Sequence, residues 1–224
     1  MLNGGYKAYR KYIRESFSCQ SNIIILGGLT GSGKTQILHQ LSAMGEQILD
    51  LESLSCHKGS VFGAMGQKPQ PTNEQFENDI YSQWKSFDFS KIIWIEDESR
   101  SIGSVIIPDP LFLQMNRAPM IKIEISREIR VERLVKEYAG FEPSLLKDAI
   151  LKISEKLGGT RTGLALQSVE KGDFASAVEP VLEYYDKTYH HAVSKRVNQN
   201  IRTFESDTDD AKKNAALLSS IIHQ

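Results

Sequence analysis

The segment Gly28-Leu29-Thr30-Gly31-Ser32-Gly33-Lys34-Thr35 fits the pattern G-x-x-x-x-G-K-[ST] at every fixed position. The apolar run Ile23-Ile24-Ile25-Leu26 stands directly before it, and a helix-like segment, Gln36 to Met44, follows. A strand, a glycine loop and a helix in that order form the unit that cradles phosphate in α/β proteins. The glycines let backbone N–H groups turn inward, Lys34 adds a point charge, and Thr35 offers a hydroxyl to a metal ion. The helix dipole favours the bound anion. The predicted phosphate ligands are therefore Gly28, Thr30, Gly31, Ser32, Gly33, Lys34 and Thr35. The pattern specifies a phosphate, not whose.

The remaining periodicities fit a sheet built around that unit. The segment 1–20 reads as an amphipathic helix, with Tyr6, Tyr9, Ile13 and Phe17 on one side and Lys7, Arg10, Lys11 and Arg14 on the other. That basic stripe is either a solvated face or a phosphate-backbone contact. Residues 21–224 read as the α/β domain. "EQILDLE" predicts a second strand ending near Glu52, followed by a long polar loop. Glu74 to Phe87 predicts a helix capped by Thr72 or Asn73. "KIIWIEDE" and "PMIKIEIS" read as buried strands, and "SVIIPDPLFLQM" as a short extended piece leading into a proline-started helix. Three helical faces follow, with Gly158-Gly159 stopping the second. They form a helical side region over about 140–198. "NIRTFE" predicts a last strand and Asp207 to His223 a closing helix. The fold expected is α/β and P-loop NTPase-like, with a doubly wound, mostly parallel sheet of about five strands. The phosphate loop, the loop after Glu52 and the residues after Trp94 should converge beyond the strands' carboxyl ends.

Composition excludes several classes. A formal net charge of -1 over 224 residues leaves no global basic field for nucleic acid, so any RNA contact must be a local patch, and DNA is not expected. The two cysteines, Cys19 and Cys56, form no metal-ligand or redox pattern, which suits a cytoplasmic setting. No stretch is long and apolar enough to span a membrane, and the first residues do not read as a secretory leader.

Several residues can carry chemistry. Glu96, Asp97 and Glu98 end a buried strand where an acid would hold Mg²⁺ beside Thr35; Asp97 is the ligand named with Thr35, and the choice among the three acids stays open. Lys34, Glu98, Arg100 and His57 are the catalytic candidates. Arg100 would stand at the sheet's carboxyl edge, able to fork onto a phosphate or base. His57 shares a glycine-bearing loop with Lys58 and Ser60 and suits a general base or a donor to substrate. Arg127, Arg130 and Arg133 ride one helix flank, a placement that clamps phosphates in small-molecule kinases but is also common on solvated helices.

"GGLTGSGKT", "LESLSCHKGSVFG", "QPTNEQFEN", "EDESRSIGSVIIP", "KLGG" and "YYDKTY" together resemble, in order, the phosphate-loop domain of tRNA 2-selenouridine synthase. The start "GGYKAYR" resembles the stretch after that family's rhodanese domain. The resemblance runs from Gly4 to about Tyr189. It implies geranylation of wobble 2-thiouridine from geranyl diphosphate, then displacement of the thiogeranyl group by selenium from selenophosphate. The phosphate on the loop would then be a diphosphate leaving group. The resemblance also implies tRNA or substrate contacts at Lys58, Ser60, Gln70, Asn78, Ser99, Arg100 and Arg161. The family's cysteine-bearing rhodanese domain has no counterpart in this sequence, so a separate rhodanese-domain protein is the expected partner. Two other readings stay open: an ATP-dependent small-molecule or nucleoside kinase, and a non-catalytic tRNA-binding module that senses nucleotide.

Overall fold

β-branched runs set the strands and helices cover them. Residues 4–222 are described by a computed structural model. Met1, Leu2 and Asn3, which open the 1–20 segment, and His223, placed at the end of the closing helix, lie outside the described residues. In chain order the elements are α1 (Gly5–Ser16), β1 (Asn22–Gly28), α2 (Lys34–Ala43), β2 (Gln47–Leu49), α3 (Leu51–Ser55), α4 (Asn73–Trp84) and β3 (Ile92–Glu96). Next come β4 (Ser101–Ile102), β5 (Val105–Ile106), α5 (Asp109–Arg117), β6 (Met120–Ile125) and α6 (Arg127–Tyr138). The side region holds α7 (Pro143–Lys152), α8 (Ser154–Leu157), α9 (Gly159–Glu170) and α10 (Phe174–Ser194), and β7 (Ile201–Ser206) and α11 (Ala211–Ile222) close the chain.

The main sheet has the order β2-β3-β1-β6-β7 and every pairing in it is parallel. The chain leaves β1 for one side of the sheet and later returns to the other, so β1 ends at the switch point where such sheets bind ligands. β4 and β5 form a separate antiparallel hairpin.

Side chains alternate across the strands. Ile23, Ile25, Ile93 and Ile95 face a core shared with Phe76, Ile80 and Trp84 of α4 and with Leu111 and Met115 of α5. Leu26, Trp94, Ile121 and Ile123 face the opposite layer, with Ile37, Leu38 and Leu41 of α2 and Leu218 of α11. A third apolar cluster, centred on Leu146, Ile150, Val181 and Leu182, fills the side region.

α1 shares the first core. Ile13 and Phe17 are fully buried, whereas Tyr6 is exposed. The expected split of α1 into apolar and basic sides needs one correction. Arg10 is buried, ion-paired with Glu77 of α4, and Arg14 Nε donates to the same carboxylate at 3.0 Å. One acid on a neighbouring helix thus takes two of the four basic residues. Lys11 pairs within its own helix with Glu15 at 3.7 Å.

Two other expectations differ in place. The second strand ends at Leu49, because the Asp50 side chain accepts from Ser53 N at 2.8 Å and caps α3. Glu52 therefore sits in a helical first turn. The helix expected to stop at Gly158-Gly159 is interrupted at Ile153; its continuation, α8, does stop at Gly158, and Gly159 opens α9. The glycine-rich "GTRTGLALQSVE" gives little helical signal; its burial against α7 and α10 makes it a helix. Thr72, not Asn73, caps α4. No helix among the described residues is long and apolar enough to cross a membrane.

Candidate active site

The loop between β1 and α2 needs a backbone that side chains disfavour. Gly28, Gly31 and Gly33 all have positive φ, of 154°, 81° and 79°. A Cβ at Gly28 would lie 2.7 Å from Ser32 Oγ, and one at Gly33 would lie 2.7 Å from the Arg133 guanidinium. Lys34 Nζ donates to Gly28 O at 3.0 Å and lies 3.8 Å from Glu96 Oε1. Ser32 Oγ is buried with no hydrogen-bond partner. An unpaired buried hydroxyl beside three positive-φ glycines is the chemistry of an anion cradle.

The loop opens on a cleft of about 410 Å³. As expected, the loop after Glu52 (Lys58, Gly59, Ser60) and the residues after Trp94 (Glu96 to Ser99) join the phosphate loop in lining it. Three carboxylates stand together there: Glu52, Glu96 and Glu98 have oxygens within 4.8 Å of one another. Thr35 Oγ1 lies 3.0 Å from Glu52 Oε2 and 3.3 Å from Glu96 Oε1. Burial raises the pKa of Glu52. Burial and the Glu52 charge push Glu96 up to about 8, and burial with the charges of Glu96 and Glu52 holds Glu98 well above the ordinary carboxylate range. Glu96 Oε2 is buried and unpaired. Three crowded carboxylates and a hydroxyl suit a hard divalent cation, so these residues fit Mg²⁺.

The metal ligand expected at Asp97 is corrected. Glu96 and Glu98 join the cluster, whereas the Asp97 carboxylate, though at the cleft wall, lies outside it. Asp97 instead pairs with Arg196 at 2.9 Å, in a setting where burial raises its pKa and the Arg196 charge opposes that rise. Glu52 is the acid that sequence reasoning missed. The signal was its place just past the carboxyl end of the strand neighbouring β3.

The other candidate residues divide between cleft and scaffold. Lys58 lines the cleft and pairs with Glu137. Ser60 and Ser99 also line it. Arg100 does not; its guanidinium reaches Asp109 at the start of α5, 2.6 Å away. Arg161, on α9, pairs with Glu183 at 2.9 Å. Asn78 is on α4 against α1, accepting from Arg10 Nη1 at 3.4 Å and donating to Tyr6 at 3.5 Å. Of the three flank arginines only Arg133 reaches the cleft.

His57 and Gln70 hold loops together. Gln70 Nε2 donates to Ser55 O (3.0 Å) and Ile102 O (2.9 Å), and its Oε1 accepts from Ser104 N (2.8 Å). The His57 ring is wedged between glycines: a Cβ at Gly63 would lie 2.7 Å from its Cε1, and one at Gly103 would lie 2.8 Å from its Cδ2. Burial lowers the pKa of His57, so the wedged ring is neutral at pH 7. The histidine, glutamine and hairpin segments are thus one interlocked scaffold. Gly103→Ala tests this. Its φ of +59° is left-handed and an added Cβ would overlap the Gln70 amide, so the variant should lose more than the ~1–2 kcal/mol of a left-handed residue alone. Urea unfolding reads the loss, and a value near zero would mean the hairpin is not clamped.

"YYDKTY" on α10 performs the same task for the phosphate loop. Tyr185 Oη accepts from Val61 N at 2.6 Å, and Tyr189 Oη accepts from Gly28 N at 2.8 Å. Asp186 receives both Arg130 Nη atoms at 2.8 Å, while Arg130 Nη1 also donates to Thr30 O at 3.1 Å. Sequence reasoning took this stretch only as a family motif and gave Tyr185, Asp186 and Tyr189 no individual role, because each acts across more than fifty positions.

The fold and cleft define an α/β protein of the phosphate-loop type, with a cluster of three carboxylates beside its glycine loop. A family model described as the tRNA 2-selenouridine synthase AAA domain matches residues 21–217. The chain belongs to the tRNA 2-selenouridine synthase family. It is 35% identical over 231 residues to the tRNA 2-selenouridine synthase of Cupriavidus pinatubonensis, covering 87% of this chain and 61% of that protein. The synthase of Shewanella loihica is 31% identical over 92% of this chain and 63% of its own length. The chain therefore spans about three-fifths of the curated relatives it matches. Among solved structures, the full-length tRNA isopentenylpyrophosphate transferase of Bacillus halodurans aligns with 92% of this chain and 100% of its own, at a TM-score of 0.40 and 9% identity.

Proposed function

We propose that this chain is the prenyl-transferring, phosphate-loop part of a tRNA 2-selenouridine synthase. The loop Gly28 to Thr35 would hold the diphosphate of geranyl diphosphate. The sulfur of wobble 2-thiouridine attacks the carbon bearing that diphosphate. The C–S bond forms as the C–O bond breaks, the electron pair leaves with the diphosphate, and the uridine N3 proton passes to water. Lys34 and the loop N–H groups stabilise the charge that builds on the leaving oxygens. Thr35, Glu96 and Glu98, with Glu52, would hold Mg²⁺, which supplies Lewis-acid neutralisation of the diphosphate when bound.

The observation that carries this reading is the convergence of the cradle, the acid cluster and the family's motif loops on one cleft. Lys58 and Ser99 at the cleft lining are the best-placed candidates for tRNA contact. Selenium handling would fall to a rhodanese domain.

The test is a mass spectrum of 2-thiouridine tRNA after incubation with geranyl diphosphate and Mg²⁺. A gain of one geranyl group per tRNA is the expected result. Its absence, with phosphoryl transfer from ATP to a small acceptor, would establish the kinase reading instead. Adding selenophosphate should yield 2-selenouridine only when a rhodanese-domain protein is also present; conversion without it would end the idea of divided labour.

A further inference from the structure

One histidine–aspartate pair in the cleft lining belongs neither to the phosphate cradle nor to the carboxylate cluster. His39 Nε2, on α2, lies 2.6 Å from Asp50 Oδ2. The Asp50 side chain is only 10% exposed, and its other oxygen accepts from Ser53 N at 2.8 Å, so the carboxylate is fixed as the cap of α3. A carboxylate only accepts. In the neutral ring Nε2 therefore carries the hydrogen, and Nδ1 keeps its lone pair. Nδ1 bonds to none of the described residues. A base oriented by a fixed acid, with its second nitrogen open, is an arrangement that accepts protons in catalysis. His39 stands one helical turn beyond Thr35, about 6 Å along the axis of α2.

The other ionisable groups of the lining are committed elsewhere. Glu52, Glu96 and Glu98 crowd together, Asp97 is paired with Arg196, and Glu137 with Lys58. Lys34 and Arg133 only donate. Burial raises the pKa of the three lining tyrosines, which keeps their hydroxyls protonated at pH 7. His39 is left as the neutral base of the described lining.

We propose that His39 is the general base of the transfer reaction and that Asp50 orients it. The inference rests on reading this cleft as the site of prenyl transfer to 2-thiouridine. The N3–H bond breaks as the C–S bond forms and the diphosphate leaves with the C–O electron pair. The water that takes the N3 proton hands one on to His39 Nδ1, and the Asp50 carboxylate stabilises the imidazolium. Loss of the N3 proton spreads negative charge over N3, C2 and sulfur, which makes the sulfur the stronger nucleophile. The His39 side chain is 56% exposed, so its proton returns to solvent after each turnover.

Single-turnover transfer to 2-thiouridine tRNA, with geranyl diphosphate affinity read by calorimetry on the same proteins, tests this. His39→Gln should lower the rate roughly 10²-fold or more, with affinity nearly unchanged. Asp50→Asn should also slow transfer, for a different reason. Its amide oxygen still caps α3, while its amide N–H donates to Nε2 and forces the ring hydrogen onto Nδ1. Added imidazole should restore part of the rate to His39→Ala and none to Lys34→Ala. Transfer at the full rate in His39→Gln or Asp50→Asn, a loss of affinity as large as the loss of rate, or no rescue by imidazole overturns the proposal. The two readings fail separately. An intact protein that transfers no geranyl group removes the prenyl-transfer reading and this inference with it. An intact protein that transfers, with variants that transfer equally well, removes the role of His39 alone.

Discussion

Lys34→Ala should abolish most geranyl transfer while tRNA affinity stays nearly constant. Lys34 Nζ lies along the phosphate loop, 3.0 Å from Gly28 O, with a side chain only 14% exposed. On the proposed reaction, a cation held there would meet the charge that develops as the diphosphate leaves. Removing one such contact costs about 2.7–4 kcal/mol of transition-state stabilisation, roughly 10²–10³ in rate. Binding of tRNA should change little, because the contacts proposed for it, Lys58 and Ser99, are other residues. Added pyrophosphate should compete with geranyl diphosphate, and omitting ATP should have no effect. The measurement is initial-rate transfer to 2-thiouridine tRNA for both proteins, with and without ATP. An intact rate in Lys34→Ala would show that the loop serves another phosphate. Strict ATP dependence with no prenylated tRNA would point to a kinase.

Asp186→Ala should be the most destabilising of the scaffold changes. Arg130 is buried, and its two bonds to Asp186 and one to Thr30 O satisfy its charge away from water. Deleting the partner of a buried ion pair leaves a charge uncompensated and costs about 3–5 kcal/mol. Replacing both members by apolar residues, Arg130→Met with Asp186→Leu, should recover much of the loss, since neither charge is then buried. Urea unfolding of the single and double variants separates these outcomes. A single-variant loss below ~1 kcal/mol would mean that water screens the pair. Because Arg130 also holds the Thr30 carbonyl, pyrophosphate affinity should fall in the double variant, which lacks that arginine, even where stability recovers.

The features legible in the sequence are those encoded over a few neighbouring residues. The phosphate loop is one: its glycines are needed for positive φ, and the strand and helix on either side are contiguous with it. The parallel sheet is another, since the apolar runs in "NIIIL", "KIIWIE" and "MIKIEI" suit strands buried on both faces. The approach of the loop after Glu52 and the strand end after Trp94 to the phosphate loop followed from the general placement of ligands at a switch point.

What only the tertiary structure decided is which side chains meet. Asp97 and Glu96 are adjacent in sequence, yet one pairs with Arg196 and the other joins Glu52 and Glu98. The choice depends on where Arg196 falls and on β2 lying beside β3, neither of which a single acidic run displays. His57 and Gln70 resembled substrate-facing residues, but packing against Gly63 and Gly103 makes them braces. Arg130 resembled a phosphate clamp until α10 supplied Asp186. Backbone conformation answers to local sterics and hydrogen bonds, so a short motif specifies it. A charge or hydrogen-bonding side chain is satisfied by whichever partner the folded chain brings within about 3 Å, and that partner can come from any distance along the sequence.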